Sequence, residues 1–111
     1  EAQLEALRQE QRRLEDRIEL QLRNILLELD IARQLMELAE RDVELSETMR
    51  RAEIRRFEQG ASDFFLVNIR EETAANARIA YFSALRRTRD ARASFDAATV
   101  NLERLGIDPQ R

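Results

Sequence analysis

From Ala2 to Glu58 the chain contains neither glycine nor proline. A run that long leaves no room for the tight turns a sheet requires, and its Leu, Ala, Glu, Arg and Gln are all strong helix formers. The remainder adds only two Gly and one Pro in 111 residues, so the composition excludes an all-β fold. The length allows one domain at most.

Apolar residues recur along this stretch at three- and four-residue steps: Leu4, Leu7, Leu14, Ile18, Leu22, Ile25, Leu29, Ala32, Met36, Ala39 and Val43. Gln11 fills one slot, and the repeated four-residue step at Ile18–Leu22 acts as a stutter in a heptad row. A second row, Leu20, Leu27, Ile31, Leu35, Leu38, Leu45, Met49 and Ala52, runs along another side. Two apolar rows on one charged helix call for neighbours on two sides, and Glu19–Arg23, Glu37–Arg41 and Glu47–Arg51 support the exposed face at i, i+4. Helix 2–58 would be ~85 Å long at 1.5 Å per residue.

The break falls at Gln59-Gly60-Ala61-Ser62-Asp63. Gly60 suits the left-handed position that ends a helix, and Asp63 or Ser62 suits the cap of the next. So short a polar stretch predicts a hairpin tip at 59–63 and not a linker. The second helix, 64–105, would run ~63 Å, with a seam at Val67, Arg70, Ala74, Ala77, Tyr81, Ala84, Thr88, Ala91, Phe95, Ala98, Leu102 and Leu105. Ala77, Ala84, Ala91 and Ala98 alternate with bulkier residues and permit close packing of the backbones. Leu105-Gly106 and Pro109 supply the stop. The expected fold is all-α: a single antiparallel two-helix coiled-coil hairpin over residues 1–111. Alone, such a hairpin leaves its second row wet, so self-association or further chain is expected.

Chemistry finds little purchase. The absence of Cys and His removes disulfides, Cys/His zinc sites, cysteine nucleophiles and Ser–His pairing. Adjacent acids (Glu15-Asp16, Glu71-Glu72) point about 100° apart on a helix and share no site. Ser46, Ser62, Ser83 and Ser94 lack a basic partner of the right kind. The Arg86-Arg87-Thr88-Arg89 cluster reads as surface charge, and 19 basic against 22 acidic residues, net −3, give no broad field for nucleic acid. No enzyme activity, metal or cofactor is expected. No apolar run approaches the ~20 residues needed to span a bilayer. Glu1 opens directly in helical register, without an apolar leader or a cap, which reads as a piece of a longer chain. Four apolar residues in a row, Phe64-Phe65-Leu66-Val67, cover more than one helix face and suit either local packing at the tip or a docking surface.

The stretch from Arg56-Phe57-Glu58-Gln59-Gly60 through Ala61-Ser62-Asp63-Phe64-Phe65-Leu66-Val67-Asn68-Ile69-Arg70-Glu71 resembles the periplasmic hairpin tip of TolC-like outer-membrane efflux proteins. In that family an Arg-aromatic-x-x-Gly turn precedes a small polar cap three residues on and a Val four residues further. Here these are Arg56, Phe57, Gly60, Asp63 and Val67. The resemblance implies one hairpin of a trimeric α-barrel, a periplasmic tunnel belonging to an outer-membrane protein of a Gram-negative bacterium. It implies that Arg56, Phe57, Gly60, Ala61, Ser62, Asp63 and Val67 form a tip that docks a periplasmic adaptor and, through it, an inner-membrane pump, as in tripartite efflux or type I secretion. The Leu105-Gly106 end favours the second of the family's two repeats. Leu66 and Ile69 stand where some members carry acidic gate residues, which implies an apolar constriction, and Phe57 lacks the hydroxyl with which some members tie a closed gate. Arg70 replaces a common Ala. Two other readings stand beside it: the α-hairpin of the adaptor itself, whose usual tip signature, Arg-x-x-Leu followed seven residues later by Ser, does not occur here, and a cytosolic coiled-coil dimerisation module.

Overall fold

A computed structural model describes residues 1–106; Pro109 lies outside the described residues. The fold is all-α, with two long helices, α1 (Ala2–Glu58) and α2 (Phe64–Arg104). Unbroken helix propensity carries α1 to the first glycine, as composition requires. α2 stops at Arg104, one residue before Leu105, because Gly106 takes φ +73° and donates its N–H to the Glu103 carbonyl at 3.1 Å. Leu105, expected on the seam, thus stands in the closing turn and is exposed.

The helices contribute to two compact units, Glu1–Asp30 with Asp90–Arg111, and Ile31–Arg89. The first has an apolar seam. Leu29, Ala91 and Leu102 are buried, with Ile18, Leu22, Ile25, Phe95 and Ala98 half-buried around them. An apolar notch of about 230 Å³ remains between Ile18, Leu22 and Ile25 on one helix and Ala98, Leu102 and Leu105 on the other. Leu4, Leu7 and Leu14, expected in the same row, are exposed. The grooves beside them are lined by Glu1 and residues of α1, with none from α2 among the described residues. Arg23 pairs with Glu19 at 2.8 Å on the solvent side, a contact worth little at such exposure.

The second unit is a helical hairpin closed by residues 59–63. Its buried apolar side chains are small: Ala32, Ala39, Ala74 and Val67. Thr88 Oγ1 lies 3.2 Å from the Ala32 carbonyl oxygen and 3.0 Å from that of Ala84. Its hydroxyl therefore donates across the helix pair as well as along its own helix, which needs the close backbone approach that alanine permits. The inward positions on α1 run Ala32, Met36, Ala39, Val43, Ser46, Arg50, Glu53, alternating four- and three-residue steps. The heptad continues without a break, while its chemistry changes from apolar to charged. Leu35, Leu38, Leu45 and Met49 of the second row stay exposed, as do Leu20 and Leu27 in the first unit.

Candidate functional site

The tip is built from backbone first. Gly60 adopts φ +76°, where an L side chain is strained. Its N–H donates to the Phe57 carbonyl at 3.0 Å, and the Ala61 N–H donates to the Arg56 carbonyl at 2.8 Å. These two bonds are the Schellman pair that satisfies the last carbonyls of a helix. Arg56 adds a third tie, donating from Nη2 to the Ala61 carbonyl at 3.2 Å. Asp63 then caps α2: its Oδ1 accepts the Leu66 N–H at 2.8 Å, and its carbonyl accepts the Val67 N–H at 3.3 Å. A carboxylate here also faces the positive end of the helix. Such a cap contributes ~1 kcal/mol.

Side chains divide around that turn. Val67 points inward and is buried, whereas Phe64 and Phe65 are exposed, Phe65 at 71%. Phe57 and Phe64 meet across the turn with ring centroids 6.4 Å apart and planes tilted by 56°. Leu66 and Ile69 sit on the first turns of α2 and are exposed. Ala61 is exposed, and Ser62 is half-buried with an Oγ that makes no hydrogen bond. The structure thus brings Arg56, Phe57, Gly60, Ala61 and Asp63 into one turn and places Val67 one helical turn along. Ala77 and Ala84 are half-buried in the second unit; Ala91 is buried and Ala98 half-buried in the first.

Next to the tip in the same unit lies a charged seam that the apolar rows did not point to. Glu53 is 4% exposed. Its Oε1 lies 3.5 Å from Arg70 Nε of α2, and its Oε2 lies 3.4 Å from Arg56 Nη1. Oε2 nevertheless accepts no hydrogen bond, so charge attraction holds it. Two turns back, Glu47 receives Arg50 through both oxygens, Nε to Oε2 at 3.0 Å and Nη2 to Oε1. Arg51 Nε at 3.4 Å and, from α2, Arg78 Nη1 at 3.6 Å complete its surroundings. The Arg50 hydrogen bond holds the Glu47 carboxyl below its ordinary pKa, partial burial opposes this, and the charges of Arg50, Arg51 and Arg78 reinforce it. Arg50 is raised in turn by that bond and by the charges of Glu47 and Glu71. A spacing signal for this seam existed: steps of three, four and three from Val43 land on Ser46, Arg50 and Glu53.

Among the described residues no three acidic side chains gather as a metal would require, and no helix is long and apolar enough to cross a membrane. What the tip offers chemically is an apolar surface on a firm backbone, flanked by arginines. No family model matches the chain, and no curated protein or solved structure matches it.

Proposed function

We propose that this chain is a periplasmic tunnel hairpin of a TolC-like outer-membrane efflux or secretion channel, a passive duct element whose tip docks the adaptor of a tripartite export system. The observation that carries the reading is the tip. Phenylalanines 57, 64 and 65 are exposed at an apex that Gly60, Arg56 and Asp63 hold in one backbone shape. Exposed aromatic side chains on a firm scaffold are the usual anchors of an interface. A coiled-coil tether has no use for such an apex, since its contacts lie along its length. The exposed second row supports the same reading, because a helix in a tunnel wall needs a neighbour on each side, and scattered exposure would not form a row.

The experiment is done in cells carrying the complete protein with its adaptor and pump. Asp63→Arg should abolish drug resistance while leaving the amount of protein in the outer membrane unchanged. Undiminished resistance overturns the docking role. A stable dimer of the complete protein in the cytosol overturns the location as well.

A further inference from the structure

We infer that Glu53 is the positioning residue of the tip: its buried carboxylate, held between Arg56 of α1 and Arg70 of α2, sets the shape of the 59–63 turn through Arg56.

The contacts form a chain. Arg70 reaches Glu53 from the opposite helix, Glu53 reaches Arg56 Nη1, and Arg56 Nη2 donates to the Ala61 carbonyl within the turn. One guanidinium therefore spans a seam carboxylate and a turn carbonyl. Glu53 sits where the heptad calls for an apolar side chain, and it lies 4% exposed with Oε2 accepting no hydrogen bond. A buried charge held this way is a poor source of stability, since a well-packed apolar side chain is often as good or better. The best-attested use of a polar group at such a position is to select one alignment of the helices. Here two cross-helix pairs, Glu53–Arg70 and Glu47–Arg78, cease to match if either helix slides by a turn, and the turn joining the helices must then change. The side chain of Arg56 is 59% exposed, so without Glu53 it is free to leave the turn for solvent. Nothing else among the described side chains donates to the Ala61 carbonyl. Where the tip docks a partner, this device governs the docking; that part rests on the function proposed above, while the effect on the turn does not.

The test uses amide exchange in the complete protein, read over residues 54–68 and compared with residues 31–45 of the same unit. Glu53→Gln keeps the shape and removes the charge, and Glu53→Leu supplies the apolar side chain the heptad lacks. Both should speed exchange over 54–68 roughly tenfold and leave 31–45 unchanged, and the Leu variant should unfold at the same temperature or higher. Arg56→Met, at a largely exposed side chain, removes the guanidinium through which Glu53 acts, should reproduce the effect and serves if a Glu53 variant fails to fold. Unchanged exchange over 54–68 overturns the inference. So does a uniform rise across both segments with a lower unfolding temperature, which is the mark of a merely structural residue. If exchange rises in the Glu53 variants but Asp63→Arg leaves resistance intact, the docking function falls and the positioning role stands. If Asp63→Arg abolishes resistance and the Glu53 variants exchange normally, the reverse holds.

Discussion

Within the second unit, two consecutive stretches of α1 share one spacing and differ in everything else. Ala32, Met36, Ala39 and Val43 fill the inward positions with small or apolar side chains; Ser46, Arg50 and Glu53 fill the next three with polar ones. In the first stretch the helices come close enough for a threonine hydroxyl to reach a carbonyl across the pair. In the second, the cross-helix contacts are made by arginine side chains reaching 3.5 and 3.6 Å to carboxylates. Alanine gives proximity without instruction, since one alanine fits another's place as well as its own. Charge gives alignment at some cost in stability. The pair divides the work: one stretch holds, the other registers.

Exchanging the chemistry of the two stretches should break this division most visibly. Ala32 has no exposed surface, so Ala32→Asp buries a carboxylate in a place closed by small side chains and should lower stability by about 3 kcal/mol in urea unfolding. A loss under 1 kcal/mol means the alanine stretch is not tightly closed. Ala84→Leu tests closeness by bulk: overpacking should cost ~1–3 kcal/mol by the same measurement, and the same holds for Ala91→Leu in the first unit. At the tip the effects are smaller and local. Asp63→Ala removes the cap for ~1 kcal/mol, and Gly60→Ala costs about 1 kcal/mol from its backbone angle alone, since no atom lies within 4 Å of the added methyl.

Glu47 should make the charged stretch respond to acid. Glu47 is held below its ordinary pKa in the fold by Arg50. Its contribution to stability is therefore complete above the ordinary carboxylate range and is lost as pH falls through that range towards the lowered folded value. Glu47→Gln should flatten this part of the stability–pH curve, read by thermal unfolding at a series of pH values. An unchanged curve means the Arg50 contact does not persist in solution. The effect is the smallest of the set, because the group is partly solvated and screened.

Legibility followed locality. The turn could be read because its determinants are within a few residues of each other: a lone glycine for the left-handed angle, an aspartate three residues on for the cap, a valine one helical turn beyond. The α2 seam could be read because alanines recur at heptad spacing. The row through Leu4, Leu7 and Leu14 misled, because apolar spacing marks a face without saying whether anything covers it. Ser46, Arg50 and Glu53 were missed for the opposite reason. Their spacing is that of the apolar row but their side chains are polar, and a buried glutamate declares itself only when Arg70, distant in sequence, is seen beside it. Arg70 stood out as an interruption of the small-residue seam; its reason lay on the other helix.

The bend at Gly60 has a further consequence. A methyl group there would project into open space, so the position discriminates by handedness and not by size. A mirror-image amino acid, for which φ +76° is unstrained, would keep the backbone of the turn as it is. Installed by semisynthesis, a D-cysteine at the apex would give a chain with no other thiol a single chemical handle, and a fluorophore or tether could then be mounted on the tip without disturbing the backbone that shapes it.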